Sequence, residues 1–68
     1  MEFDPLYKPR FVPEEFVTEL INLWHLAKGY ATTGRYTRLI KTTDWFCKAH
    51  PELSRTGVYK DIDALTMV

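Results

Sequence analysis

The fold is decided first by residues 13 to 29, which read PEEFVTELINLWHLAKG. Pro13 suits the first position of a helix, the acidic pair Glu14 and Glu15 follows where the helix dipole favours negative charge, and Gly29 suits the residue after a helix end. The pattern predicts helix A over about residues 13 to 28. Its apolar side chains fall in two adjacent stripes, Phe16, Leu20, Leu23 and Ala27 beside Val17, Ile21 and Trp24. So wide an apolar face must be covered by other helices or by a second copy of the chain.

Length and composition indicate one ordered domain. The chain has 68 residues, 46% of them hydrophobic, and nine basic side chains balance nine acidic ones. A net charge of zero is not typical of a protein that coats nucleic acid non-specifically. Cys47 is the single cysteine and has no partner for a disulfide within the chain, which favours a reducing, cytoplasmic location. Neither a secretory signal nor a membrane span is predicted.

Residues 1 to 12 predict an extended arm in front of a single helical domain at residues 13 to 68. Pro5 and Pro9 disfavour a helix there. The arm carries four apolar side chains, Phe3, Leu6, Tyr7 and Phe11. They either pack back on the domain or dock on a partner, and we favour packing back, because a chain this short has little core of its own.

Residues 36 to 49 repeat apolar side chains at helical spacing up to Pro51, beyond which a helix is not expected to continue. The segment is compatible with one helix. The Thr42-Thr43-Asp44 run would also suit the start of a second helix, because threonine and aspartate oxygens accept hydrogen bonds from the amides of a first turn. We prefer a break near Lys41 and Thr42. The prediction is an all-α domain of three or four helices.

The last segment predicts a turn at residues 50 to 53 and a final helix from Ser54, a favourable N-cap, to about Thr66. Val58, Ile62 and Leu65 share one face of this helix. A helix, a short turn and a second helix form the layout of a helix-turn-helix unit, in which the second helix enters the major groove of DNA.

Residues 54 to 65 read SRTGVYKDIDAL. They resemble the recognition helix of the winged helix-turn-helix domain in WYL-type transcription regulators, where the pattern Ser-Arg-Arg-Thr-Val-Tyr-Arg-Asp-Ile is frequent. Gly57 stands where that pattern has threonine. The resemblance implies that Val58, Ile62 and Leu65 are buried. It also implies that five side chains face DNA, namely Ser54, Arg55, Thr56, Tyr59 and Lys60.

The charge distribution is consistent with this hypothesis. The segment from Lys28 to Lys60 holds seven basic residues and two acidic ones. Arg55 suits a guanine edge, and the other DNA-facing side chains suit phosphates. We further expect Arg38 and Lys41 to contact phosphates. The sequence therefore predicts a small DNA-binding regulator, working as a homodimer through helix A.

A protein-binding role is the alternative hypothesis. The chain would then be a small helical adaptor or inhibitor that binds a protein partner through its aromatic arm and helix A. We predict no enzyme activity, no cofactor and no metal site. Asp44, Cys47 and His50 are three residues apart, but no second group supplies the rest of a nucleophilic site. His25 is expected within the apolar face of helix A, with its ring hydrogen-bonded.

Overall fold

The computed structural model describes residues 6–30 and 34–66, and within these residues the chain forms three α-helices and no strand. The helices are α1 (Val17–Tyr30), α2 (Arg35–Ala49) and α3 (Arg55–Leu65), and a short 3-10 helix at Glu14–Phe16 precedes α1. α1 packs on α2, and α2 packs on α3. The all-α prediction is confirmed. None of the helices in this described part is long and apolar enough to cross a membrane.

The first helix differs from the prediction at its end. Gly29 does not end it, because the helix continues through Gly29 to Tyr30 and Gly29 does not take a positive φ. The Tyr30 ring meets the edge of Trp45 on α2 at 5.7 Å between ring centroids, a contact that holds the last turn. The glycine with a positive φ is Gly34, at 127°, directly before α2. A side chain would be strained there, so glycine suits the position.

The preferred break near Lys41 and Thr42 is wrong, because α2 is continuous from Arg35 to Ala49. Thr42 and Thr43 are fully buried in the middle of this helix and do not cap a new one. The Thr43 hydroxyl donates a hydrogen bond to the Leu39 carbonyl at 2.8 Å, one turn earlier in the same helix. A buried threonine satisfied by its own helix needs no interruption of that helix.

The wide apolar face of α1 is covered largely within the chain. Leu20, Trp24 and Ala27 are buried, while Phe16 and Val17 pack half-buried against the core. His25 is exposed, so its expected position within the apolar face is wrong. α1 keeps two large apolar side chains exposed by more than half, Leu26 at 51% and Tyr30 at 67%.

Candidate nucleic-acid interface

α2, the turn after it and α3 follow one another as helix, turn and helix, and α2 packs on α3. The Leu53 amide donates to the His50 carbonyl at 3.1 Å, which closes the turn. Ser54 caps α3 as predicted, because its hydroxyl accepts a hydrogen bond from the Gly57 amide at 3.3 Å. A serine at this position satisfies an amide that has no partner inside the helix. Local capping chemistry therefore sets where the candidate recognition helix begins.

α3 has one buried side and one solvent side. Successive residues are about 100° apart around a helix, so its two sets of residues lie on opposite sides. The buried set is Gly57, Val58, Asp61, Ile62 and Leu65. The solvent side consists of Arg55, Thr56 and Lys60, which are exposed, and Tyr59, Asp63 and Ala64, which are half-buried. The predicted burial of Val58, Ile62 and Leu65 is confirmed.

The five side chains predicted to face DNA are thus brought to one region. Ser54, Arg55, Thr56 and Lys60 are exposed at or near the N-terminal end of α3. Tyr59 is half-buried and packs against the hydrophobic core, which leaves part of its ring accessible. The arrangement presents hydroxyl, guanidinium and ammonium groups over about two helical turns.

Two ion pairs border this solvent side. Arg55 pairs with Asp44 of α2, with side chains 57% and 51% exposed. Arg35, at the start of α2, donates to the Asp63 carboxylate at 2.6 Å. Exposed ion pairs of this kind contribute about 0 to 1 kcal/mol, so their partners exchange readily with other charges. Arg55 is therefore accessible to an anion, in competition with Asp44.

Arg35 also fastens the end of α3. Its guanidinium donates to the Asp63 carbonyl at 2.9 Å and to the Thr66 hydroxyl at 2.8 Å. Arg35 was not among the residues predicted to contribute to the site. A weak signal was present, because an arginine in the first turn of a helix is placed against the helix dipole and needs another reason to be there.

Arg38 does not lie on the basic surface, and its expected contact with phosphate is corrected. The side chain is buried, its guanidinium lies 3.9 Å from the centre of the Trp24 ring, and its Nε donates to the Trp24 carbonyl at 2.8 Å. A guanidinium stacked on an indole is held by cation–π attraction inside the α1–α2 interface. Lys41 is half-buried, with its ammonium 5.6 Å from the centre of the Trp45 ring.

The described part of the arm docks on the domain through the Tyr7 side chain and backbone amides, whereas Leu6 and Phe11 are 89% and 51% exposed. The predicted packing of its apolar side chains is therefore confirmed only in part, and Phe3 lies outside the described residues. Asp61 of α3 is fully buried and receives four hydrogen bonds from the arm. Its Oδ1 accepts from the Tyr7 hydroxyl at 2.8 Å and the Arg10 amide at 3.1 Å. Its Oδ2 accepts from the amides of Phe11 and Val12, both at 2.8 Å. We call these groups the Asp61 cluster. Four donors around one carboxylate compensate for taking its charge out of water.

The Phe11 ring explains why α3 has a glycine in its first turns. A Cβ on Gly57 would lie 2.6 Å from Phe11 Cγ and 2.8 Å from Phe11 Cβ, too close for any side chain. Gly57 is therefore the site at which the arm approaches the helix.

The residues set aside as a nucleophilic site have other partners. His50 packs between the rings of Phe16 and Phe46, at centroid distances of 4.3 and 4.7 Å, and pairs with Glu19. Cys47 is half-buried, and burial raises the pKa of its thiol, with smaller opposing effects from Arg55 and Asp44. A raised pKa leaves less thiolate near neutral pH. Residues 6–30 and 34–66 contain no group of three potential metal ligands.

Several large apolar side chains are exposed outside α3. Tyr30 at the end of α1 and Tyr36 at the start of α2 are 67% and 69% exposed, and Leu26 is 51% exposed. Leu6 in the arm is 89% exposed. Large apolar side chains at such exposure are candidate partner contacts.

Comparison with known proteins adds no assignment. No protein-family model matches the chain, and comparisons with curated proteins and with solved structures find no match.

Proposed function

We propose that this domain binds double-stranded DNA, with the solvent side of α3 in the major groove. The observation that supports this most directly is the position of Arg55, Thr56 and Lys60, which are exposed on the second helix of a helix-turn-helix unit. In such units the N-terminal residues of the second helix reach the base edges. The resemblance of residues 54 to 65 to recognition helices of WYL-type regulators supports the same proposal.

The two basic side chains have different roles in this proposal. Arg55 reads a guanine, because a guanidinium matches its O6 and N7 acceptors with two hydrogen bonds. Lys60, a point charge one and a half turns further along, contacts a phosphate. Ser54 and Thr56 donate to phosphates from their hydroxyls, and Tyr59 borders the contact. Arg38 has no part in it, since its guanidinium is buried on Trp24.

The test is fluorescence anisotropy with a labelled duplex of mixed sequence, titrated with the protein over a salt series. Each phosphate contact contributes about 0.9 to the slope of log K against log salt. Lys60→Ala should reduce the slope by about that amount and weaken binding to every sequence. Arg55→Ala should cost about 1–3 kcal/mol on the preferred site and reduce discrimination among sequences. Lys28→Ala on α1 is the matched control, because it removes the same charge from another helix.

The Arg55–Asp44 pair supplies a sharper test. Asp44→Asn removes the acidic competitor and one negative charge near the duplex, so it should strengthen binding, whereas Arg55→Ala should weaken it. Damage to folding would change binding in the same direction for both variants. No binding by the wild-type protein at low salt overturns the proposal, because a DNA-reading domain retains a sequence-independent electrostatic contribution.

A protein-binding role is the second candidate. It is favoured by the exposure of Leu26, Tyr30 and Tyr36, at 51%, 67% and 69%. The arm contributes less than the sequence predicted, because Tyr7 and Val12 are held in the Asp61 cluster. The test applies if the protein fails to bind duplex DNA. A protein partner that binds the wild-type chain but not the variant Tyr30→Ala/Tyr36→Ala, in which Tyr59 is unchanged, would support this candidate.

A further inference from the structure

The N-terminal arm is attached to the same helix that carries the proposed DNA contacts. Asp61, which binds the Tyr7 hydroxyl and three arm amides, directly follows Lys60 in α3. Arg10 joins this cluster through its backbone amide alone, and its side chain is exposed. Lys8 is exposed as well. The cluster thus holds two basic side chains on a segment whose position relative to α3 is set by four hydrogen bonds.

The arm runs along one flank of α3 and leaves its solvent side open. Gly57 and Asp61, two positions at which the arm meets α3, are one turn apart on the helix. At about 100° per residue, Gly57 and Asp61 lie about 60° and 100° around the helix from Lys60, and about 160° and 120° from Arg55. The arm therefore borders the solvent side on the flank opposite Arg55, where α2 supplies Asp44.

We propose that Lys8 and Arg10 contact phosphates of the same duplex that α3 enters, so that the arm is a second part of the DNA-binding surface. This inference rests on the proposed function. The major groove is about 12 Å wide, and an α-helix with its side chains is about 10–12 Å across, so the flanks of a helix in the groove face the two phosphate backbones. Basic groups fixed on a flank are placed for phosphates, while groups on the solvent side are placed for bases.

The surrounding charges favour Arg10 as the stronger contact. Lys8 and Glu14 line the same groove, together with Tyr7, Pro9 and Val17, so Glu14 offsets part of the Lys8 charge. The Asp61 carboxylate is buried and bound by four donors, which limits its effect on an approaching anion. Because the arm is already docked, the protein does not have to order this segment when DNA binds.

The experiment compares salt dependence for the full chain, Lys8→Ala/Arg10→Ala and Lys28→Ala, by anisotropy with the same mixed-sequence duplex. Loss of two phosphate contacts should reduce the slope of log K against log salt by about 1.8. Between 50 and 200 mM salt, wild-type affinity should then fall about 12-fold more than that of the double variant. Lys28→Ala should keep the wild-type slope. Lys28 is eleven residues along α1 from Val17, which is roughly 16 Å at 1.5 Å per residue, and so it lies far from the arm.

The possible outcomes separate this inference from the proposed function. If the wild-type protein binds with a steep salt dependence and the arm variant keeps the same slope, the arm contact is refuted and the α3 interface stands. If the wild-type protein binds no duplex even at low salt, both are refuted. Urea denaturation should give the arm variant a stability within about 1 kcal/mol of the wild type, because both removed side chains are exposed and neither donates a hydrogen bond in the Asp61 cluster.

Discussion

The Asp61 cluster makes a strong prediction about stability, which Asp61→Asn tests with almost no change of shape. The carboxylate accepts from Tyr7 and Arg10 at one oxygen and from Phe11 and Val12 at the other. An amide can offer only one oxygen. Its best orientation keeps the oxygen on the Phe11 and Val12 amides and turns its NH₂ group towards the Tyr7 hydroxyl, which can accept, and the Arg10 amide, which cannot.

The expected loss in the free energy of unfolding follows from this geometry. One buried donor facing another costs about 1–3 kcal/mol, and the remaining hydrogen bonds lose the extra strength that a charged acceptor confers. Removing the buried charge offsets part of this loss in the free energy of unfolding, because the charge no longer has to be taken out of water. We expect a net loss of about 2–4 kcal/mol. A domain of this size has roughly 3–10 kcal/mol in total, so the loss is a large fraction of it.

Urea denaturation followed by tryptophan fluorescence measures this loss, since Trp24 is buried in the core. Hydrogen exchange at the Phe11 and Val12 amides reports on the arm itself. Asp63→Asn is the matched control, because it makes the same chemical change on the same helix at an ion pair with Arg35 that is 38–40% exposed. It should cost at most about 1 kcal/mol. Equal effects of the two variants, or unchanged exchange at Phe11 and Val12 in Asp61→Asn, would refute the reasoning.

Three further predictions concern the same core and arm. Gly57→Ala should destabilise the domain by about 1–2 kcal/mol despite alanine's better helix propensity, because its Cβ would meet Cβ, Cγ and Cδ1 of Phe11. In a Phe11→Gly background, which removes all three atoms, the same change should stabilise the domain; urea denaturation of the four proteins tests this reversal. Thr42→Val should stabilise the domain by about 1 kcal/mol and raise its Tm by about 4–8 °C. The reason is that the fully buried Thr42 hydroxyl has no hydrogen-bond partner among the described residues. An unchanged or lower Tm would contradict this. Burial raises the pKa of Tyr7 above its ordinary 10.0. The hydrogen bond to Asp61 and the negative charge of Asp61 raise this pKa further, and the positive charge of Arg10 lowers it. The stability this contributes is therefore complete below pH about 10 and is lost as pH rises through the folded-state pKa, and an ultraviolet titration should show the Tyr7 pKa falling in Asp61→Asn.

Much of the architecture was predictable, because it depends on interactions within a few residues along the chain. Ser54 caps α3 through an amide three residues away, and the turn before it follows from Pro51. Spacing alone identified Val58, Ile62 and Leu65 as one buried face of α3. The exposure of Arg55 and Lys60 follows from the same periodicity, so the candidate interface itself was readable from the sequence.

The errors arose where a local signal competed with a distant contact. The Thr42-Thr43-Asp44 run has the composition of a helix start, yet both threonines are buried inside one continuous helix. Gly29 has the composition of a helix end, yet the Tyr30 contact with Trp45 extends α1 past it. In each case packing against another helix outweighed a local preference of about 1 kcal/mol or less.

The sequence by itself determined the helical class, the cap and faces of α3 and the solvent exposure of its basic residues, because periodicity and capping act over one or two turns. Only the tertiary structure decided which charged groups are bound to other groups of the protein and which remain free to contact a ligand. Arg38 stacks on Trp24, Arg35 holds the end of α3, and Asp61 binds the arm. The sequence around a charged side chain looks the same whether that side chain lies on the surface or in a buried cluster. Its role depends on donors and acceptors that are up to 54 residues away along the chain, and folding alone brings them together.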